Sequence, residues 1–479
     1  MNPELTLAID QGTHSTRALL FTAGGQLVTT AQYPLTLHRI SDDRIEQDGR
    51  EIIASLFATI EEVMAHEEVA RRGIARAGLA SQRSSVIAWN METGQPLGPM
   101  LSWQDRRAAD WLAQFADEAA EVKERTGLPL SPHYGASKMR WLLENEPEVQ
   151  QAHKAGRMRF GQLAGFLLFN LLKEKPLVTD QANAGRTLLQ NLDSLDWDPW
   201  LLDIFGVPAE LLTGIRPSIH EYGTLAGSSI PLTAVCGDQN GAIYGLGLPE
   251  PGTGIVNLGT GAFVLVSTGA KRVRHPRLLS GLASSAADSR EYSIEGTVNG
   301  AAAAIKWAAE EWDIPNIDEH LHEWLEIEDD PPLFLNTIGG LGSPFWQSGP
   351  EPTIIQPAGY QREYSTRQKV VAVLESILFL LQVNMDAIAA LGLEPKRLRV
   401  SGGLANVDAL CQRLADLSDK PVYRPKETEA TVRGAAWLAS GRPSYWPESE
   451  PGDHFYPEHD PAFAARYEAF RNELNTRLD

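Results

Sequence analysis

Two short glycine turns, about half the chain apart, follow one plan and constrain the fold more than any other feature. Residues 8–21 read AIDQGTHSTRALLF, and residues 254–269 read GIVNLGTGAFVLVSTG. Each has an apolar run, a polar residue, a glycine–threonine turn and a second apolar run. A repeat of this length predicts a duplicated domain rather than a solenoid. The 479 residues agree with two domains, because single cores stop growing at roughly 250–300 residues.

Hydrophobic spacing predicts an α/β fold. Residues 5–37 alternate in the manner of strands and predict a three-stranded meander. Residues 48–70 have helical spacing, with Asp48 as the candidate N-cap. Residues 136–172 and 367–391 are predicted to be largely helical. Residues 397–417 are predicted to form a strand, a glycine turn and a helix.

The domain division is predicted in a segment rich in Gly and Pro. Residues 245–254 read GLGLPEPGTG, which is typical of a crossover between domains. We therefore expect an N-terminal domain over 1–245 and a C-terminal domain over 246–479. The Pro-rich, acidic tail, 442–461, is expected to run over the surface.

Charge and cysteine content bound the partners and the compartment. The net charge is −20 and the pI about 5.0, which argues against nucleic acid and anionic membranes as partners. Two cysteines, Cys236 and Cys411, fit a reducing compartment without a disulfide framework. The first residues, MNPELTLAID, do not resemble a signal peptide. Apolar runs such as 164–172 are short of the ~20 residues of a membrane span. We expect a cytoplasmic protein.

Three glycine turns, each after a predicted strand, are the candidates for anion binding: 10–13, 257–261 and 401–406. Backbone N–H groups in such turns bind anions. Thr13 and Thr260 add hydroxyl groups, Arg17 adds a cation, and Asp10 can hold Mg²⁺ against phosphate oxygens. The sequence has no P-loop and no G-x-G-x-x-G. Singly, each turn is ordinary hairpin chemistry; together, the three favour a nucleotide site.

Asp238, in VCGDQNGA (235–242), follows an apolar strand. A carboxylate at the end of a strand is well placed to accept the proton of a hydroxyl group. The same residue also fits a helix N-cap, because the following residues have helical spacing. The residues themselves leave both readings open.

Polar and aromatic residues recur in three predicted loops: Arg83, Trp103, Asp105, His133 and Tyr134. A pocket with tryptophan, arginine and aspartate is typical of sites for polyhydroxy compounds, because rings stack on C–H faces and charges bind hydroxyl groups. Each residue alone is more typical of packing or of the surface.

The motifs in order resemble the FGGY carbohydrate kinases of the actin-like ATPase superfamily, and among these the glycerol kinases. The resemblance extends from residue 5 to about 441. It rests on DQGTHSTRA, SQR, WQDRR, KMRWLLEN, TDQANAGRT, GDQ, NLGTGAF, GGLGSPFW and SGGLAN. It implies two ribonuclease-H-like (actin-like) domains with ATP, Mg²⁺ and the substrate in the interdomain cleft. It also implies homodimers or homotetramers.

The resemblance assigns roles to named positions. Asp10 would act at the metal, and Asp238 would be the catalytic base. Nucleotide- and phosphate-binding residues would be Gly12, Thr13, Arg17, Gly259, Thr260, Gly402, Gly403 and Asn406. Substrate-binding residues would be Arg83, Ser84, Trp103, His133, Asp238, Gln239 and Phe263.

Three positions depart from the pattern of glycerol kinases. Ser84 stands where they have an acidic residue, His133 where they have tyrosine, and Ala302 where the family often has glycine. A hydrogen-bonding site discriminates strongly between substrates. The first two changes therefore predict a substrate longer than glycerol, and Ala302 is expected to reshape the wall of the nucleotide site.

The sequence predicts ATP-dependent phosphorylation of a primary hydroxyl of a small polyol or sugar. Two alternatives remain: a ketopentose kinase of the xylulose type, and an actin-like ATP-binding protein that transfers no phosphoryl group. Asp10 together with Asp238 favours a kinase, since a nucleotide switch needs no second carboxylate beside a Trp/Arg pocket.

Overall fold

The computed structural model describes residues 4–327, 330–356, 362–448 and 450–478. The strands up to residue 243 are β1 (Leu5–Gln11), β2 (Ser15–Phe21), β3 (Leu27–Pro34), β4 (His38–Arg39), β5 (Ile45–Gln47), β6 (Ile74–Ser81), β7 (Val86–Asn90), β8 (Met100–Leu101), β9 (Met158–Gln162), β10 (Val178–Asp180), β11 (Gln190–Asn191), β12 (Asp196–Trp197), β13 (Gly214–Arg216), β14 (Ile219–Thr224) and β15 (Pro231–Gly237). The α-helices are α1 (Gly49–Met64), α2 (Glu67–Arg72), α3 (Ala109–Ala113), α4 (Ala119–Thr126), α5 (Gly135–Asn145), α6 (Pro147–Lys154), α7 (Leu163–Leu171), α8 (Gln181–Ala184), α9 (Pro199–Ile204) and α10 (Asp238–Ile243).

The second half has fewer and longer elements. Its strands are β16 (Thr253–Leu258), β17 (Ala262–Gly269), β18 (Leu279–Ser285), β19 (Arg290–Val298), β20 (Leu333–Leu335), β21 (Thr353–Ile355), β22 (Arg397–Ser401), β23 (Val422–Arg424) and β24 (Asp453–Phe455). Its α-helices are α11 (Ala302–Glu311), α12 (Leu321–Ile327), α13 (Thr366–Ala389), α14 (Asp408–Ser418), α15 (Ala430–Ala439) and α16 (Pro461–Leu478).

The N-terminal half is built on a sheet with the strand order β14-β15-β6-β1-β2-β3. The antiparallel strands β1, β2 and β3 form the predicted meander. Strands β6 and β15 extend it in parallel with β1. The helix predicted over 48–70 forms as two helices, α1 and α2, with a break at residues 65–66. The Asp48 carboxylate caps α1 as predicted, accepting a hydrogen bond from the Arg50 N–H. The carboxyl ends of β1, β6 and β15 therefore meet at one edge.

The C-terminal half repeats this plan in a sheet with the order β18-β19-β17-β16-β22-β23-β24. Strand β16 is antiparallel to β17 and parallel to β22, as β1 is antiparallel to β2 and parallel to β6. The repeated glycine turns thus occupy equivalent places in two α/β sheets. The predicted strand, turn and helix over 397–417 are confirmed as β22, a short 3-10 turn and α14.

The prediction of helix over 136–172 is wrong at β9. Met158 and Phe160 are buried there, and the strand pairs antiparallel with β7 in a small sheet of order β4-β5-β8-β7-β9. The alternation of apolar and polar residues in β9 covers too few residues to predict a strand between two helices. The pairing with β7 comes from distant sequence, which local spacing does not register.

Helix α15 belongs to the C-terminal half but packs on the N-terminal sheet. A Cβ added at Gly434 would overlap the Gly241 carbonyl of α10, and one at Gly78 would lie 2.5 Å from the Ala435 carbonyl oxygen. The two helices and strand β6 therefore approach backbone to backbone. The division at 245/246 stays a prediction, because this helix crosses from one half to the other.

Helix α13 is the long buried helix predicted over 367–391. By length and composition it is the one described helix apolar enough to cross a membrane, but 83% of its 18-residue apolar window is buried inside the protein. The described residues of the tail 442–461 are exposed or half-buried, except Trp446; residue 449 lies outside the described residues. Its Trp446 is buried against Arg433, so the surface prediction is wrong there. Its strand β24 pairs with β23 at the edge of the sheet, and its residues are half-buried or exposed.

Candidate active site

Three predicted site residues, Asp10, Arg83 and Asp238, lie at the carboxyl edge of three parallel strands. Gln11 of β1, Ser81 of β6 and Gly237 of β15 are in register. The chain then places Asp10 within β1, Arg83 two residues beyond β6, and Asp238 directly after β15. Three segments separated by many residues in sequence thus bring a carboxylate, an arginine and a second carboxylate to one edge.

Asp10 and Arg17 form an ion-pair chain with a residue that sequence reasoning missed. The two are cross-strand neighbours in β1 and β2, and Arg17 Nη2 lies 2.6 Å from Asp10 Oδ2. Arg17 Nη1 lies 2.5 Å from Glu429 Oε2, at the start of α15. Two carboxylates thus hold the cation that was predicted to bind phosphate. Glu429 carries no motif, and nothing in its local sequence predicts this contact.

The surroundings of Asp10 fit a role at a metal ion that binds together with phosphates. Burial, with smaller contributions from the charges of Asp238 and Glu429, raises the pKa of Asp10 to about 6 against the opposing effect of Arg17. Asp10 Oδ1 is buried and has no hydrogen-bond partner in the described residues. Mg²⁺ is commonly held by one or two carboxylates plus substrate phosphates and water. A group of three or more His, Cys, Asp or Glu residues suited to a metal does not occur in the described ranges.

A network of buried glutamine amides fixes the first glycine turn. Gln11 Nε2 donates to the Gly12 carbonyl (2.7 Å), and Gln47 Nε2 donates to the Thr13 carbonyl (2.9 Å). Gln82 Nε2 lies 3.0 Å from Gln47 Oε1 and 3.2 Å from Gln11 Oε1, and so joins the two. Because fully bonded buried networks rigidify their surroundings, the turn is preorganised. Gln11 and Gln82 lie in the DQGTHSTRA and SQR motifs, but Gln47 lies in none, so the network itself was not predicted.

Asp238 directly follows β15, as predicted, and is the first residue of α10. The N-cap reading is wrong, because Gly237 is the N-cap and no side chain caps this helix. Its side chain is 35% exposed, and Arg83 Nε lies 3.7 Å from Oδ1. The Gln239 N–H donates to the same Oδ1 (2.7 Å). Burial raises the pKa of Asp238, and Arg83 opposes this shift. Oδ1 is thus engaged, which leaves Oδ2 for a ligand.

Trp103 and His133 form an aromatic wall beside the first turn. Trp103 Nε1 donates to Thr13 Oγ1 (3.0 Å), and the Trp103 and His133 rings meet edge to face with centroids 5.7 Å apart. Burial, and then the charge of Lys138, hold the pKa of His133 well below its usual value, so the ring is neutral near pH 7. The hydrogen bond of Trp103 ties this wall to the glycine–threonine turn.

Ser84 is buried and adopts a left-handed backbone conformation (φ 63°), which is uncommon for serine. Its hydroxyl has no hydrogen-bond partner in the described residues. Lys138 Nζ donates to the Ser84 carbonyl (3.1 Å) and to the His133 carbonyl (2.7 Å). One buried lysine thus holds together the two positions that depart from the pattern of glycerol kinases.

A second ion pair, also missed, joins the two halves behind this wall. Arg186 Nη2 lies 3.0 Å from Glu295 Oε2 of β19. Arg186 also hydrogen-bonds to Tyr134, and burial raises the pKa of that phenol to about 12. Arg186 lies in the TDQANAGRT motif, which is the signal that could have found it. Two further residues predicted for the substrate pocket have different environments. Gln239 is exposed, whereas Phe263 packs against the hydrophobic cluster that contains Leu19 and Ala80.

The second and third glycine turns lie side by side. Strands β16 and β22 are parallel with Asn257 opposite Ser401, and Asn257 Nδ2 donates to Ser401 Oγ (3.2 Å). A Cβ on Gly402 (φ 98°) would lie 2.6 Å from the Leu258 carbonyl carbon, so only glycine fits there. Gly403 and Asn406 are exposed at this edge.

The start of α11 closes on the second turn. The Ala302 N–H donates to the Gly259 carbonyl (3.0 Å), and the Ala301 and Ala303 N–H groups donate to the Thr260 carbonyl (3.1 and 3.0 Å). These N–H groups are therefore engaged within the protein. Thr260 and Ala302 line a cavity of about 400 Å³ together with Lys306 and Trp307, which were not predicted. Ala302 thus forms part of an open wall beside Thr260.

Comparison with known proteins gives one consistent result. The model of the N-terminal domain of the FGGY family of carbohydrate kinases matches residues 5–242, and that of its C-terminal domain matches residues 254–441. The chain is 37% identical over 453 residues to a glycerol kinase of Citrifermentans bemidjiense, covering 91% of this chain and 90% of that protein. It is 34% identical over 462 residues to a glycerol kinase of Symbiobacterium thermophilum, covering 93% and 91%.

Solved structures agree in fold. The crystal structure of Plasmodium falciparum glycerol kinase with ADP matches with a TM-score of 0.89 and 25% identity, covering 100% of this chain and 98% of that one. The xylulose kinase of Rhodospirillum rubrum matches with a TM-score of 0.84 and 19% identity, covering 99% and 98%. The predicted two-domain actin-like fold is confirmed.

Proposed function

The chain belongs to the FGGY family of carbohydrate kinases, and we propose that it transfers the γ-phosphoryl group of ATP to a primary hydroxyl of a small polyol. One observation carries the proposal: the carboxyl ends of β1, β6 and β15 bring Asp10, Arg83 and Asp238 to a single edge. A pure nucleotide switch has no use for the second carboxylate and its arginine. The glycerol kinases above support the substrate class.

We propose Asp238 as the base. Its Oδ1 is engaged by the Gln239 N–H and faces Arg83, so Oδ2 accepts the proton of the substrate hydroxyl. The freed oxygen forms a bond to the γ-phosphorus, the bond from that phosphorus to the β–γ bridging oxygen breaks, and ADP leaves. Such reactions depend mainly on positioning and charge stabilisation. A positioned base contributes roughly 10²–10⁴ in rate.

Thr13 would link the acceptor and the phosphate. Its hydroxyl accepts the Trp103 indole N–H, so its own proton is free to donate to a phosphate oxygen. The glutamine network holds the turn in place for this contact. The Thr260 hydroxyl would supply a further donor. Gly12 and Gly259 would line the phosphate path without donating, since their N–H groups bond to the Ser15 and Gly261 carbonyls (3.0 Å each). Gly402, Gly403 and Asn406 would lie beside the adenosine. Arg17 would act on phosphate through the nitrogen positions that Asp10 and Glu429 leave free.

Asp10 would hold Mg²⁺ through its unpartnered Oδ1. When bound, the ion neutralises charge on the transferring phosphates. The role of the protein is to keep Asp10 ionised and oriented, and Arg17 does both through its contact of 2.6 Å.

The acceptor is proposed to be longer than glycerol. At Ser84 no acidic side chain competes for the donors of Arg83, and at His133 a neutral imidazole stands where glycerol kinases have a larger phenol. Both changes favour one further hydroxyl or carbonyl group on the ligand. A ketopentose of the xylulose type therefore remains within the proposed range.

We further propose a cytoplasmic enzyme without nucleic-acid or membrane partners, working as a homodimer or homotetramer. The acidic net charge argues against nucleic acid and anionic membranes as partners. The two buried, unpaired cysteines are consistent with a reducing compartment such as the cytoplasm.

A screen of acceptors tests the function. Release of ADP from Mg²⁺–ATP is measured with glycerol, tetritols, pentitols and ketopentoses at equal concentration. The proposal expects kcat/KM for the best four- or five-carbon acceptor to exceed that for glycerol at least ~10-fold, the effect of about 1.4 kcal/mol. Glycerol as the best substrate would overturn the choice of acceptor. ADP release independent of every acceptor would overturn the kinase.

A further inference from the structure

A basic segment lines a cavity that the proposed reaction does not use. Residues 271–277 read KRVRHPR in a chain whose net charge is −20. Part of this segment faces helix α4 across a cavity of about 560 Å³, which Trp346 completes. The walls thus come from both halves of the chain. None of the predicted site residues lines the cavity.

Three cationic side chains line this cavity, together with a single carboxylate, Glu124. Arg272 and Arg274 share Asp193, at 2.6 and 2.8 Å. Arg274 also pairs with the Glu124 carboxylate. Lys123 Nζ donates to the Gly127 carbonyl (2.6 Å) and to the Leu278 carbonyl. In the described residues no carboxylate pairs with Lys123, so the charged form of this lysine has no counter-ion in the cavity.

Unused donors point to a ligand. The Arg272 side chain is only 7% exposed, and its Nε is buried without a hydrogen-bond partner in the described residues. His275 Nδ1 accepts the N–H groups of Arg277 (3.1 Å) and Leu278 (2.9 Å). The neutral ring therefore carries its proton on Nε2, which is a further donor. Burying a donor without a partner costs about 1–3 kcal/mol, so a shift of the Arg272 side chain toward a bound acceptor would be favourable.

The cations also repel one another. Burial, followed by the charges of Arg272 and Arg186, lowers the pKa of Lys123 to about 7. An anion in the cavity would favour the charged form of this lysine and relieve the repulsion. Since salt screens buried charges poorly, dissolved ions do not have the same effect.

We propose that this cavity binds a phosphate-bearing small anion, as a site separate from the catalytic cleft. Arginine forks and a lysine match the oxygens of a phosphate group. The volume of about 560 Å³ falls in the range of small-molecule sites and exceeds a single phosphate. A phosphorylated metabolite with a second polar group therefore fits better than orthophosphate.

A ligand there would tie the two halves together near the substrate wall. Lys123 bonds to the Leu278 carbonyl, and the next residue, Leu279, pairs with Glu295 between β18 and β19. Glu295 in turn holds Arg186 beside Tyr134. A continuous series of contacts thus connects Lys123 in the proposed site with Tyr134 beside the aromatic wall.

Calorimetric titration of pyrophosphate into the full-length protein, without Mg²⁺, tests the proposal. Arg274→Gln and Lys123→Met change the cavity, and Lys271→Gln is the matched control, because Lys271 is exposed in the same segment but does not line the cavity. Arg274 is 51% exposed, so its variant is expected to fold even if Lys123→Met does not. Titration of ADP reports separately on the catalytic cleft.

We expect pyrophosphate to bind the wild type, and Arg274→Gln to weaken it at least about tenfold, in the range of a lost charged hydrogen bond. Lys271→Gln is expected to change it less than about twofold, and ADP affinity should be the same in all variants. No pyrophosphate binding would overturn the proposal. So would binding that Arg274→Gln leaves unchanged, or binding that the control weakens equally. If ADP does not bind the wild type, that result would count against the proposed kinase and not against this site.

Discussion

Replacing Asp10 by asparagine is expected to make the folded protein more stable while abolishing Mg²⁺-dependent activity. Burial raises the pKa of Asp10 from 3.8 to about 6 even with Arg17 beside it. At 1.36 kcal/mol for each pKa unit, the ionised carboxylate costs the folded state about 3 kcal/mol. Asparagine resembles the protonated acid and carries no such cost.

The pH dependence follows from the sign of the shift. The folded-state pKa lies above the unfolded value, so the wild type loses stability as the pH rises from 3.8 through about 6, and the full cost applies above that. Asp10→Asn should therefore gain about 3 kcal/mol at pH 8 but only about 1.5 kcal/mol at pH 5. Because protons compete with Mg²⁺ for Asp10, the Mg²⁺ concentration needed for half-maximal activity of the wild type should rise as the pH drops through about 6.

Thermal melting at pH 8 and pH 5, in EDTA and without nucleotide, measures this difference. A gain of 3 kcal/mol corresponds to roughly 6–12 °C for a domain of this size. Asp42→Asn is the control, because Asp42 is exposed. A variant that melts at or below the wild type at pH 8 would refute the reasoning. A difference that is the same at both pH values would also refute it.

Three further predictions address the pocket, the fold and the cleft. The double variant Ser84→Glu/His133→Tyr should raise kcat/KM for glycerol at least ~10-fold relative to the best longer acceptor; steady-state kinetics that show no gain would mean that the two positions do not set the choice. Gly434→Ala should cost about 1–3 kcal/mol, because its Cβ would overlap the Gly241 carbonyl. Gly24→Ala, whose Cβ would have its nearest neighbour 3.9 Å away, is the control, and equal melting temperatures for the two variants would contradict the packing argument. Small-angle scattering should give a smaller radius of gyration when nucleotide and acceptor are both bound; an unchanged radius would argue against closure.

Local sequence was sufficient for elements that local interactions determine. The meander, the Asp48 cap and the strand before Asp238 follow from alternation, side-chain capping and apolar runs, and all three are present. The turns 10–13 and 257–261 also occupy equivalent places in two sheets, as their similarity predicts. The repeated turns and the chain length predicted two domains, and the order of the family's motifs added that they are actin-like.

Contacts between residues far apart in the chain could not be predicted from the sequence. Glu429 pairs with Arg17 across 412 positions, and nothing in its neighbourhood distinguishes it from a surface glutamate. The packing of α15 on the N-terminal sheet requires glycines without a Cβ at the contact, such as Gly434 and Gly78. This requirement can be recognised only once the two packed elements are known. Strand β9 was missed because its partner β7 is far away in sequence.

The central claim is that Asp238 accepts the proton of the acceptor hydroxyl, and Asp238→Asn tests it most directly. ADP release is measured with the best acceptor, and ATP affinity is measured separately by titration, with the exposed Asp288→Asn as the control. The account predicts that kcat falls roughly 10²–10⁴-fold, that ATP affinity is nearly unchanged, and that Asp288→Asn behaves as the wild type. Wild-type turnover in Asp238→Asn would contradict it.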